Sequence, residues 1–140
     1  MQLEPRVRRA VTIVAAWMAA SSLVLAQAPS PGAPDVARGQ SSFLDHCAVC
    51  HGDHGKGNGV AASSLRNRPT DLTKLSKPSG TFPAEHVEAV LKGQAPVTPH
   101  GTATMMMWGA FFSGEANGNP AVANQRIEDL VAFIKSIQAK

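Results

Sequence analysis

The stretch "DHCAVCHG", residues 45–52, contains both cysteines of the 140-residue chain. Cys47 and Cys50 are separated by two residues, and His51 follows directly. Cysteine pairs with this spacing form redox-active disulfides, supply half of a zinc site, or anchor a covalently attached group. The choice among these three chemistries depends on what the rest of the chain provides.

The N-terminal segment has the pattern of a secretory signal peptide. Three arginines precede an uncharged, largely apolar run over residues 11–25, and the small-x-small cleavage pattern A-Q-A follows at residues 26–28. We expect a signal peptide over residues 1–28, cleaved near residue 26 or 28, and therefore export to the periplasm. An uncleaved membrane anchor is the alternative, although the apolar run is shorter than the ~20 residues of a spanning helix.

The charge of the mature chain is close to zero. Three of the 13 basic residues and one of the 10 acidic residues lie in the signal segment, which leaves 10 basic and 9 acidic residues, a net charge of +1. No cluster of Lys and Arg with interleaved aromatic residues occurs. We therefore expect no nucleic-acid partner, and no membrane span in the mature form.

A proline-rich linker over residues 29–34 precedes a domain over residues 35–140. Asp35 is placed to cap a first helix through "VARGQSSFLDHC". The three- and four-residue spacing of its candidate inward residues predicts a face made of Val36, Gly39, Phe43 and Cys47.

Two further helices are predicted, at "FPAEHVEAVLKG" and "NQRIEDLVAFIKSIQ", each with an apolar stripe at helical spacing. Between them, "QAPVTPHGTATMMMWG" contains two prolines and two glycines and is expected to be a loop. No alternating strand pattern occurs. The fold class is therefore all-α, with three or more helices and long loops.

This domain has few large apolar side chains with which to form a hydrophobic core, because the whole chain has only five phenylalanines and two tryptophans. Small loop-rich domains generally need a staple, a metal or a cofactor at their centre. A thioredoxin-like pair is expected beside a strand–helix unit, which the sequence lacks. A zinc site fits poorly, because Cys50 and His51 are adjacent and no second cysteine pair follows.

The remaining pattern, C-x-x-C-H, attaches haem c through two thioether bonds and supplies the histidine as an axial iron ligand. Export agrees with this interpretation, since bacteria attach haem c outside the cytoplasm. We therefore favour one covalent haem c per chain, held by Cys47, Cys50 and His51. The disulfide and the zinc site remain as alternatives.

A sixth iron ligand is available in the methionine run, residues 105–107. A thioether sulfur stabilises ferrous iron and raises the reduction potential, which suits an electron carrier. The alternative role for these methionines is to fill gaps in the core beside the cofactor.

The chain resembles a bacterial class I cytochrome c of the periplasmic mono-haem type. The resemblance rests on "CAVCHGDHGKGNG", on "RPTDLT", on "HGTATMMMWG", and on a first and last helix that would cross through Gly39 and Phe43 against Leu130 and Phe133. It implies the small class I cytochrome c fold, wrapped around the one haem.

The same resemblance implies roles for individual residues. Alignment on the family's M-P-x-W-G places the distal iron ligand at Met105, with Met107 as its rival and Met106 where the family has proline. Trp108 is expected to pack on the haem, and His100 to bond a propionate or the methionine loop. A carbonyl from residues 63–69 is expected to accept a hydrogen bond from His51 Nδ1.

The expected function is one-electron transfer through a His/Met-ligated haem, as a soluble periplasmic shuttle rather than an enzyme. Its partners would be redox proteins, namely a donor dehydrogenase and a terminal oxidase or reductase. One alternative is a cytochrome subunit of a larger periplasmic oxidoreductase, such as a dehydrogenase complex. Another is a gas-binding or sensor haem with labile methionine ligation.

Overall fold

The computed structural model describes residues 32–76, 80–95 and 105–139. All of them belong to the second of the two compact units into which the chain divides, Pro31–Lys140. The predicted signal peptide and residues 29–31 of the predicted linker lie outside the described residues. Within the described ranges the chain forms five α-helices and two 3₁₀ turns and no strand, so the all-α prediction is confirmed.

The helices follow one another along the chain as α1 Val36–His46, α2 Ala48–His51, α3 Ala84–Leu91, α4 Trp108–Glu115 and α5 Pro120–Ser136; the 3₁₀ turns are Ala62–Ser64 and Leu72–Lys74. None of the described helices is long and apolar enough to cross a bilayer.

Helix α1 begins as predicted, because the Asp35 side chain accepts a hydrogen bond of 2.8 Å from the Arg38 amide. Gly39, Phe43 and Cys47 face inward, but Val36 is 45% exposed, so its predicted burial is wrong. The inward residues are four positions apart, and on an α-helix each step of four residues rotates the direction of the side chain by about 40°. This rotation moves the buried face of α1 away from Val36.

Helices α1 and α5 cross at Gly39. A Cβ placed there would lie 2.0 Å from the Asp129 carbonyl oxygen and 2.9 Å from Phe133 Cβ, so only glycine permits this approach. One turn further on, the rings of Phe43 and Phe133 lie 5.1 Å apart, beside the fully buried Leu130. The helix pairing that the sequence predicted is therefore confirmed.

The other predicted helices also form, and two helices, α2 and α4, were not predicted. Helix α3 ends at Leu91, two residues before Gly93 at φ 73°. Helix α4 begins at Trp108, at the end of the stretch expected to be a loop, whose residues 96–104 lie outside the described ones. Trp108, Phe111 and Phe112 recur at three- and four-residue spacing, which is a helical pattern that the sequence does contain.

A buried carboxylate, that of Asp129, stabilises the crossing of α1 and α5. Asp129, 2% exposed, accepts hydrogen bonds from Arg38 Nε at 2.7 Å and Nη2 at 3.0 Å, from the Asp35 amide at 2.7 Å and from Gln125 Nε2 at 3.1 Å. Burial alone would raise the pKa of Asp129, but these hydrogen bonds outweigh burial and lower the pKa overall. The charged form is therefore the one that stabilises the crossing.

We predict that Asp129→Asn lowers the free energy of unfolding at pH 7 by about 2–3 kcal/mol. This is less than the ~3–5 kcal/mol for a fully buried pair, because the Arg38 side chain is 53% exposed and screened by water. The folded-state pKa lies below the unfolded value of about 3.9, so the contribution is complete above that pH and is lost as pH falls through the folded pKa. Urea unfolding of both proteins from pH 7 to pH 3 should show the difference shrinking; an equal difference at both ends would contradict this account.

Candidate functional site

The two cysteines and the histidine lie on one helical turn, here called the cysteine turn (residues 47–51). Helix α2 follows Cys47 directly, and the Cys47 carbonyl accepts from the Cys50 amide at 3.1 Å and from the His51 amide at 2.9 Å. Residues three and four positions apart share a helix face. The structure therefore brings these three predicted site residues together on one face of the turn.

The Cys47 thiol does not have the properties of an activated redox thiol. Both cysteines are unpaired, with Cys47 buried and Cys50 half-buried. Burial, with a smaller contribution from Cys50, raises the pKa of the Cys47 thiol to about 12. Redox-active pairs instead need a lowered pKa that supplies thiolate. The local environment thus speaks against the disulfide-exchange alternative.

His51 is held in the tautomer that a metal ligand needs. Its Nδ1 lies 3.0 Å from the Thr70 carbonyl oxygen, and because a carbonyl only accepts, Nδ1 donates and Nε2 keeps its lone pair. Burial lowers the pKa of His51 despite the opposing effect of this hydrogen bond, which favours the neutral ring. The predicted carbonyl acceptor exists, but at Thr70, one position beyond the predicted residues 63–69.

Close backbone packing brings Thr70 to His51. The Gly57 amide donates to the His51 carbonyl at 2.7 Å, and the Gly59 amide donates to the Cys50 carbonyl at 3.1 Å. A Cβ on Gly57, at φ 71°, would lie 2.2 Å from the Pro69 carbonyl oxygen. Only a residue without a side chain lets the segment that ends at Thr70 lie this close to the cysteine turn.

Gln138 anchors the segment that follows Thr70. Its Oε1 accepts from the Leu75 and Ser76 amides at 2.9 Å, while its Nε2 donates to the Leu72 carbonyl at 2.7 Å and to the Ile134 carbonyl at 2.8 Å. The end of α5 thereby fixes the chain that carries the acceptor for His51. A single glutamine near the C-terminus carries no sequence signal for such a role, so sequence reasoning did not find it.

The three methionines of the run are placed differently. Met105 is half-buried and packs on the core cluster that includes Cys47 and Trp108. Met106 and Met107 are 53% and 62% exposed. The Met107 thioether lies over Gly93, where an added Cβ would be 3.2 Å from its sulfur. Of the three, Met105 is the one whose side chain belongs to the core shared with the cysteine turn.

The structure describes Trp108 but not His100. Trp108 is 8% exposed at the start of α4, and its ring lies 5.5 Å from that of Phe111 and 5.7 Å from that of Phe112. It therefore belongs to the core beside the methionine run, while its contact with a cofactor stays a prediction. His100 lies outside the described residues, and its role also stays a prediction.

The donor set suits a covalently bound haem. Two unpaired thiols and a neutral imidazole share one face, and a soft thioether packs on the same core. These are the groups that hold haem c: thiols for the vinyl groups, and nitrogen and sulfur for the iron. Among the described residues, no group of three or more His, Cys, Asp or Glu side chains is arranged to hold a metal ion.

Comparison with known proteins agrees with this chemistry. The family model for cytochrome c matches residues 36–138, which is most of the chain, and the chain therefore belongs to the cytochrome c family. Members of this family bind haem c and carry electrons to and from redox partners; they are not catalytic enzymes. Comparisons with curated proteins and with solved structures gave no match.

We predict that Gly57→Ala destabilises the protein by about 2 kcal/mol or more, because alanine is strained at positive φ and its Cβ would clash with the Pro69 carbonyl. Gly114→Ala is the matched control, since Gly114 lies in α4 with nothing within 4 Å of an added Cβ. It should stabilise the protein by ~0.5–1 kcal/mol. Urea unfolding measures both, and similar effects at the two positions would contradict the proposed packing.

Proposed function

We propose that the protein is a periplasmic electron carrier with one haem c, bound covalently by Cys47 and Cys50 and axially by His51 and Met105. The observation that carries this proposal is the geometry of the cysteine turn. Two thiols lie on the same face as an imidazole whose Nδ1 is already engaged by Thr70. That arrangement leaves Nε2 available for iron.

Each of these residues has a distinct task. When bound, haem c supplies the centre that gains and loses one electron. Cys47 and Cys50 hold it through two thioether bonds, and His51 provides the nitrogen ligand. The Thr70 carbonyl keeps the His51 ring in one orientation and raises its basicity as a ligand. Gly57 and Gln138 act indirectly, by keeping Thr70 in place.

Met105 completes the proposed ligand set. Its thioether favours ferrous iron and so raises the reduction potential. With His51 and Met105 both bound to the iron, the haem would have no site left for a substrate or for dioxygen, which suits a carrier rather than an enzyme. The packing of Met105 on the core shared with Cys47 supports this assignment over Met106 and Met107.

Single substitutions of the methionines test the assignment. We expect Met105→Leu to abolish the near-infrared band of methionine-ligated ferric haem and to lower the reduction potential, because leucine keeps the volume without the sulfur. Met106→Leu and Met107→Leu are the matched controls and should retain the band. Loss of the band in Met107→Leu alone would show that the ligand has been wrongly assigned.

Cell fractionation tests the proposed location. We expect the haem-bearing form in the periplasmic fraction with an N-terminus at residue 27 or 29, as the A-Q-A pattern at residues 26–28 predicts. Recovery in the membrane fraction with an intact N-terminus would instead show an uncleaved anchor.

Two measurements separate the shuttle from the other candidate functions. Purification at native expression should yield the free protein; stable co-purification with a catalytic subunit would favour a role within an oxidoreductase. The reduced protein should bind carbon monoxide slowly or not at all at neutral pH. Rapid binding would favour a gas-binding or sensor haem.

A further inference from the structure

His46 lies in an aromatic environment at the end of α1. It is the last residue of α1 and directly precedes Cys47. Its half-buried ring is surrounded by three aromatic rings of α4, at centroid distances of 5.8 Å from Trp108, 5.3 Å from Phe111 and 5.6 Å from Phe112. The contacts to the two phenylalanines are edge-on, at 67° and 70°, which is a favourable geometry for aromatic pairs.

These contacts join the two chain segments that approach the proposed haem. On one side, His46 is bonded to Cys47. On the other side, α4 begins at Trp108, immediately after the methionine run, and the Phe111 amide donates to the Met107 carbonyl at 3.3 Å. Met105 lies three residues upstream of Trp108. The position of the first turn of α4 therefore restricts where Met105 lies.

The methionine run needs such a constraint. No proline follows Met105 to restrict the backbone, because position 106 is a methionine. Met106 and Met107 are both largely exposed, so their side chains contribute little core packing that would fix the segment. Within the described residues, the first large buried side chain downstream of Met105 is Trp108, the residue that His46 contacts.

We propose that His46 is a positioning residue for the distal iron ligand, holding α4 and thus Met105 against the segment anchored at Cys47. This inference rests on the proposed ligation by His51 and Met105. It assigns to the imidazole of His46 an aromatic packing role rather than a bond to iron. Loss of the ring would leave both thioether attachments intact and weaken the bond from Met105 to iron.

Displacement of the methionine by added imidazole measures this effect in the ferric holoprotein. His46→Ala should bind imidazole roughly tenfold more tightly than the native protein, since three aromatic contacts are lost. His46→Phe keeps an aromatic ring at the same position and should restore near-native affinity. His46→Leu keeps apolar volume without a ring, should behave like His46→Ala, and serves if the alanine variant is not recovered.

Two controls separate positioning from general destabilisation. Asp129→Asn loosens the α1–α5 crossing at a carboxylate whose hydrogen bonds go to α1 and α5 and not to α4, and His86→Ala removes an exposed histidine of α3. Both should keep native imidazole affinity. Equal affinity in His46→Ala and the native protein, a similar increase in Asp129→Asn, or failure of His46→Phe to restore affinity would each overturn the inference. A native ferric protein that lacks the methionine band would instead refute the proposed ligation, and the inference with it.

Discussion

The hydrogen bond from His51 Nδ1 to the Thr70 carbonyl oxygen is the interaction on which the site depends. It fixes the tautomer and the orientation of the imidazole, and it ties the cysteine turn to a loop nineteen residues further along the chain. The bond forms because glycine at position 57 lets the backbone at Pro69 pass within contact of the turn. Gln138 then holds the continuation of that loop against the end of α5.

The helices supply the frame in which this bond can form. The close approach of α1 and α5 at Gly39 fixes the helix that ends just before Cys47, and the ion pair of Asp129 and Arg38 stabilises the same crossing. Helix α5 also carries Gln138 just beyond its last turn. One helix pair thus positions both the cysteine turn, which follows the end of α1, and the loop that reaches His51, which Gln138 holds just beyond α5.

Much of this could be predicted because the signals are local. C-x-x-C-H is a motif of five consecutive residues, the cap at Asp35 depends on one side chain, and the buried stripe of α5 repeats at helical spacing. The acceptor for His51 and the role of Gln138 could not be located from the sequence, because both depend on tertiary context. The bonds that Thr70 and Gln138 make leave no pattern in the sequence, since a backbone carbonyl and a lone amide can serve in any fold. Helix α4 was not predicted because glycines and prolines precede it, although its aromatic residues recur at helical spacing.

The central claim is that Cys47 and Cys50 carry one haem c through two thioether bonds. An alkaline pyridine haemochrome spectrum of the protein, matured by the cytochrome c assembly machinery and quantified against the chain, tests it most directly. We expect the spectrum of a haem with both vinyl groups saturated, at one haem per chain. A spectrum of haem with free vinyl groups, or the absence of haem from the matured protein, would contradict it.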